Sequence, residues 1–231
     1  KNMIENKVDL PELDGDQIVL RFQEFIKKFG KEIGIGLAVI LLVLGGIFGY
    51  NEFILKPKEQ KAAELLYKAQ QYFSQDSSKL VLQGDGTNKG VLYVMSNYGG
   101  TKSATLCKYY AGVSYLKLGE FAKAIEYLKD FKTDAKQVQM VAYGCLGDAY
   151  AESGKKDDAF DYYVKAAHTF ESDENGSAEY LFRAGLLSET LGKADKAVEL
   201  YKEIKTKFPK SEKGTQIDKY IARLSVEKPE L

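Results

Sequence analysis

"GVSYLKLGEFAKAIEYLKDF", residues 112–131, is the stretch on which the fold turns. Within it Gly112, Tyr115, Gly119, Ala124 and Leu128 stand at offsets 0, 3, 7, 12 and 16. The same offsets recur in Gly147, Tyr150, Gly154, Ala159 and Tyr163, and again in Gly185, Ser188, Gly192, Ala197 and Tyr201. The copies step by 35 and then 38 residues. Self-similarity at such a period marks stacked supersecondary units, each too small to bury its own apolar face.

Each position has a physical role. The first glycine sits inside a helix, where it costs about 0.5–1 kcal/mol relative to alanine. That cost makes sense where a neighbouring helix must approach closely. The second glycine is placed to end the helix as a residue of positive φ. The alanine opens the packed face of a second, antiparallel helix, and the Leu or Tyr one turn on fills the space above it. The polar run "ESDENGS", residues 171–177, is expected to be a loop that absorbs the longer last step. This pattern resembles the tetratricopeptide repeat, a helix–turn–helix of about 34 residues. The resemblance covers Thr105 to Ser211 and includes Pro209 near the end of the third copy.

Flanking segments complete the stack. Ile217, Tyr220, Ile221 and Leu224 predict a terminal helix with one apolar face, the cap a solenoid requires over its last repeat. Ala62, Leu65, Leu66, Ala69 and Phe73 predict a helix after Pro57, and Val91, Leu92 and Met95 a shorter one. These two read as a degenerate first pair joined by a long loop.

Upstream, "IGIGLAVILLVLGGIFGY", Ile33 to Tyr50, carries no charge. Eighteen residues at about 1.5 Å rise give roughly 27 Å, close to the hydrocarbon thickness of a bilayer. A cleaved signal peptide fits poorly, because more than thirty residues precede the apolar run and no A-x-A-like site or lipidatable Cys follows it. A buried core helix fits poorly as well, since the repeats are complete without it. An uncleaved transmembrane anchor is therefore expected. Lys/Arg counts within twenty residues of its ends tie: Arg21, Lys27, Lys28 and Lys31 before it, Lys56, Lys58, Lys61 and Lys68 after it. Within ten residues they lean three to two toward a cytoplasmic N-terminus. Pro57 offers a break where the helix leaves the membrane. Ahead of the span, Ile18, Phe22, Phe25, Ile26 and Phe29 share one helical face with Arg21, Lys27 and Lys28 nearby, which suits either the membrane surface or a partner. Gly45-x3-Gly49 matches a helix-pairing motif common in any membrane helix.

The expected fold is thus all-α: residues 1–32 a cytoplasmic segment with an amphipathic helix, 33–55 the anchor, 57–104 a linker helix and degenerate pair, 105–211 three repeat units, and 212–231 a capping helix and tail.

Composition narrows the function. The 33 Lys+Arg balance 33 Asp+Glu, so no basic field exists to hold a phosphate backbone, and a nucleic-acid partner is not expected. The 16 Tyr and 12 Phe supply packing or contact surface. Cys107 and Cys145 form no CxxC and no metal cluster, and read as small hydrophobes in helices or, in an oxidising compartment, a disulfide. "GDGTNKG", residues 84–90, has Lys89 where a dinucleotide turn needs glycine, is not a Walker loop, and offers only Asp85 as a carboxylate. It reads as a turn. His168, the single histidine, reads as a helix-end surface residue, and Asp157 and Asp158 suit a helix start. No enzyme, no cofactor and no metal is expected.

A short N-terminal segment, one apolar span and a tetratricopeptide-like domain together resemble the YfgM-type ancillary subunits of the SecYEG translocon. The "KKFGKE" run at 27–32 and the "AAELLYKAQQYF" helix at 62–73 share that likeness. The resemblance implies a single-pass protein of the bacterial inner membrane, with a cytoplasmic N-terminus and a periplasmic repeat domain. It implies contact with SecYEG, with a PpiD-like isomerase chaperone, and with unfolded secretory clients. Two other roles fit the same residues: a scaffold without chaperone action organising an envelope machine, or a receptor whose repeats face the cytoplasm. In tetratricopeptide stacks the first helix of each pair lines the concave side. That places Tyr109, Val113, Leu116 and Lys117 in a partner groove from the first copy, Asp148 and Glu152 from the second, and Phe182, Leu186 and Glu189 from the third. Alternatively, some of these close the core between repeats.

Overall fold

The computed structural model describes residues 15–227. Residues 1–14 of the expected cytoplasmic segment and 228–231 of the tail lie outside them. The chain divides into two units, Lys1–Lys56 and Pro57–Leu231. Among the described residues there is no named strand, only an isolated bridge between Gly84 and Lys89.

In the first unit the amphipathic stretch and the apolar span are one helix, α1, Gly15–Tyr50. None of its residues is buried. It is the one described helix long and apolar enough to cross a membrane. A π-helical turn, Asn51–Leu55, follows, in which the Lys56 N–H donates to the Asn51 carbonyl. Pro57 was expected to break the helix. Instead it falls in the first turn of α2, Lys56–Ser74, where its missing N–H removes least, and the hydrogen-bond pattern changes register in the π turn just before it.

The second unit contains α2, α3 (Ser78–Gln83), α4 (Val91–Asn97), α5 (Lys102–Lys117), α6 (Phe121–Asp130), α7 (Lys136–Glu152), α8 (Lys156–Ala167), α9 (Glu174–Thr190), α10 (Ala194–Lys207) and α11 (Ile217–Glu227). The pairs α5–α6, α7–α8 and α9–α10 are the three copies. The helix-internal glycines do what their cost implied. A Cβ on Gly112 would lie 2.5 Å from the Leu128 side chain, on Gly147 2.6 Å from the Tyr163 ring, and on Gly185 2.3 Å from the Tyr201 ring. The residue at offset 16 therefore seats directly on the glycine at offset 0. Ala124, Ala159 and Ala197 are all fully buried. Between the helices, Gly119, Gly154 and Gly192 take φ of 75°, 77° and 70°. At the first of them Glu120 N–H donates to the Tyr115 carbonyl and Gly119 N–H to that of Leu116, the paired bonds that close a helix C-terminus.

Two differences from the sequence reading are local. The expected loop between α2 and α4 contains helix α3, whose Val81 and Leu82 are buried in the same cluster as Ala62, Leu66 and Ala69 of α2. Six residues are too short to show a helical period in sequence. The run at 171–177 is a loop only to Asp173. The Asp173 carboxylate accepts from Gly176 N–H at 2.9 Å and so starts α9 at Glu174. At the far end α11 closes the stack, with Ile217 and Leu224 buried.

One tie between α2 and the repeats is a carboxylate. Glu59 accepts from Lys102 N–H at 2.6 Å, Ser103 N–H at 2.9 Å and Ser103 Oγ at 2.5 Å, capping α5 from another helix alongside its own N-cap Thr101. Burial alone would raise the Glu59 pKa, but the bonds from Ser103 and Lys102 outweigh it and hold it below its ordinary 4.5. A carboxylate depressed in the folded state stabilises fully above the unfolded value and loses that contribution as pH falls through the folded one. Glu59→Gln should therefore cost about 1 kcal/mol at neutral pH, the usual worth of a helix cap. The gap from wild type should shrink as denaturation is followed below pH 4.5. A gap that persists unchanged in acid would mean that the charge is not what holds α5.

Candidate protein-docking face

The first helices of the three copies, α5, α7 and α9, carry all nine residues expected in a groove. Their environments differ sharply. Val113 and Phe182 are each only 7% exposed and belong to the core. Phe182 lies under the cap: its ring centroid is 4.7 Å from that of Tyr220, edge to face, and 5.8 Å from that of Tyr201. Tyr109 is half-buried, its ring 5.6 Å from Phe131 and 5.4 Å from Tyr110, and burial pushes its hydroxyl up to about 12. Leu116 is half-buried, while Lys117, Glu152 and Leu186 are exposed. Lys117 pairs with Asp76 at 2.5 Å and lies 5.0 Å above the Phe73 ring.

The two remaining carboxylates are engaged inside the stack. Asp148 accepts from Tyr163 Oη at 2.7 Å and from Arg183 Nη1 at 2.8 Å. Glu189 accepts from Tyr201 Oη at 2.6 Å and from Arg223 Nη2 at 2.6 and 2.8 Å. The construction is the same twice. A tyrosine at offset 16 reaches through its own helix pair to a carboxylate on the first helix, and an arginine from the helix that follows, α9 in one case and the cap α11 in the other, closes the other side. Burial first, then the adjoining carboxylate, raises both phenol pKa values, so each hydroxyl stays a donor. These carboxylates join the second copy to the third and the third to its cap. Tyr163, Tyr201, Arg183 and Arg223 are partners of these carboxylates that the sequence reading missed. The arginines follow their carboxylates by 35 and 34 residues, so the repeat spacing itself was the available signal.

Arg183 extends the network. Its Nε donates to Glu179 at 2.8 Å, and Glu179 also meets Lys213 at 3.2 Å. Beside it lies an open recess of about 270 Å³ bounded by Ala151, Tyr163, Arg183, Leu186, Leu187 and Thr190. Tyr180 lies flat on α7, where a Cβ at Gly144 would meet its ring at 2.1 Å.

The other sites raised by the sequence are occupied by local contacts. Asp85 accepts from Tyr72 Oη at 2.6 Å and from the Asn88 and Thr87 N–H groups at 2.7 and 3.0 Å, and these bonds, Tyr72 first, hold its carboxyl well below the usual range. Its loop is a closed turn pinned to α2. His168 caps the C-terminus of α8. Its Nδ1 lies 2.9 Å from Glu171, and Glu203 completes a group whose ligand atoms come within 4.8 Å of one another. Lys207 already meets Glu203 at 2.9 Å and Glu171 at 3.4 Å there. Cys107 and Cys145 are free thiols on α5 and α7, and burial raises both pKa values to about 12.

Comparison with known proteins agrees with this geometry. A tetratricopeptide repeat family model matches residues 107–136 and 179–211, the first and third copies. A TPR repeat-containing protein of Methanocaldococcus jannaschii is 31% identical over 104 residues, which is 45% of this chain and 18% of that protein. The chain thus spans less than a fifth of the length of that curated relative. The second copy is placed by the seat of Tyr163 on Gly147, the positive φ of Gly154 and the burial of Ala159. The chain carries tetratricopeptide repeats behind one long apolar helix, and such repeats are protein-interaction modules.

Proposed function

We propose that this chain is a membrane-anchored, non-catalytic docking module: an ancillary subunit of the SecYEG translocon that meets secretory proteins as they emerge. In this reading α1 crosses the bacterial inner membrane with the N-terminus in the cytoplasm. The repeats lie in the periplasm, beside a PpiD-like chaperone and unfolded clients. The observation that carries the reading is α1 itself. None of its residues is buried among the described residues, and a helix of this kind in one chain with interaction repeats would fix a docking module at a membrane. The translocon assignment rests on the resemblance of the whole arrangement to the YfgM-type subunits.

Purification of the tagged full chain from bacterial membranes in mild detergent tests it. SecYEG subunits and a periplasmic isomerase-like chaperone should co-elute. Recovery of motility or outer-membrane components in their place would overturn the translocon role.

A further inference from the structure

Four apolar residues of α1, ahead of the uncharged span, fall on one line of the helix. Ile18, Phe22, Phe25 and Phe29 are spaced by 4, 3 and 4 residues, the interval at which one helix packs along another. All four are between 41% and 63% exposed, and the Phe25 and Phe29 rings lie 5.2 Å apart along the line. Two covers suit such a face, the membrane surface or a partner. The continuity of α1 decides between them. A helix that crosses a bilayer is tilted by about 20° on average, so an unbroken helix from Gly15 to Tyr50 carries its N-terminal part away from the membrane. Measured from Ile33, where the uncharged span starts, Phe25, Phe22 and Ile18 then stand roughly 11, 16 and 21 Å beyond the hydrocarbon. The headgroup layer is only about 5–8 Å deep on each side, too thin to cover them.

Resting on the reading of α1 as the membrane anchor, we infer that this line is a seam along which α1 pairs in parallel with α1 of a second copy of the chain. The charges beside it favour that occupant. At about 100° per residue, Arg21, Lys28 and, at the membrane end, Glu32 flank one side of the seam, and Val19, Gln23 and Gly30 the other. A parallel two-fold pair sets the charged flank of each helix against the uncharged flank of its mate, so no like charges meet. An antiparallel pair would set Arg21 against Lys28 of the second copy. Anchors inserted in the same sense in one membrane permit only the parallel pair, and they hold the phenylalanines of both copies at the same height. Lys28 Nζ lies 5.3 Å from the Phe29 ring centroid, so its stem covers the aromatic while its charge stays at the rim.

Cysteine substitutions in the full chain, oxidised with copper phenanthroline in isolated bacterial membranes, test the seam. Phe22→Cys and Phe25→Cys lie on it, and Leu20→Cys and Lys27→Cys on the opposite face. The first two should give a disulfide-linked species of twice the chain mass, severalfold more abundant than the second two give. Wild type, whose free thiols lie on α5 and α7, sets the background. Phe22→Glu combined with Phe25→Glu puts like charges in the seam. It should leave the chain in the carbonate pellet and halve the protein mass read by light scattering in mild detergent. If that double variant does not accumulate, the cysteines carry the test. Equal crosslinking on both faces, or a crosslink from the seam to a different protein, overturns the inference. So does quenching of a fluorophore on Phe25→Cys by brominated lipids, which would place the face in the membrane surface. Release of wild type by carbonate removes the anchor on which the pairing rests, whereas retention without seam-specific crosslinks removes the pairing alone.

Discussion

Replacing Leu41 and Leu42 together by arginine should abolish the membrane integration proposed for the chain. Both lie near the middle of the apolar run and are 68% and 76% exposed, so none of the described residues shields them. Each arginine at the centre of a spanning helix costs about 2.5–3.5 kcal/mol on insertion scales, and the pair about 5–7 kcal/mol. In the core of a soluble domain they would be buried, and none of α1 is. Alkaline carbonate extraction reads the outcome: wild type stays in the pellet and the double variant moves to the supernatant. Release of wild type by carbonate would sink the anchor. Retention of the double variant would show that something other than α1 holds the protein to the membrane.

Tyr201→Ala is the most damaging single change expected in the repeats, at about 3–5 kcal/mol. The side chain is fully buried, seats on Gly185, and joins Phe182 and Tyr220 in an aromatic cluster under the cap. Truncation opens a cavity at the junction of α9, α10 and α11. Tyr201→Phe keeps the volume and loses only the hydroxyl bond to Glu189, which retains Arg223. That should cost about 1 kcal/mol. Chemical denaturation of the two variants separates the contributions. Equal losses would mean that the hydroxyl network, and not packing on the glycine, holds the third repeat to its cap.

The contrast between these residues shows what a sequence can and cannot reveal. Gly185 and Tyr201 were legible as a spaced pair because a helix of fixed pitch puts offsets 0 and 16 of a hairpin opposite each other whatever surrounds them. Gly119, Gly154 and Gly192 were legible because a helix end of positive φ excludes most side chains. Helix α3 was not, since its six residues are held by packing against α5 and α4 rather than by any period of their own.

The nine groove candidates divide in the same way. By itself, the sequence determined that they fall on the first helix of each copy, because that follows from register within the copy. Only the tertiary structure decided which of them remain open to solvent. Phe182 is covered by Tyr220 from the cap. Asp148 and Glu189 are neutralised by arginines a full repeat away, and Glu59 is spent on a helix terminus more than forty residues downstream. Leu186, Lys117 and Glu152 stay exposed. The physical reason is distance along the chain. Periodicity and turn geometry act over a few residues, whereas burial and charge pairing depend on neighbours that only the stacking of repeats brings together.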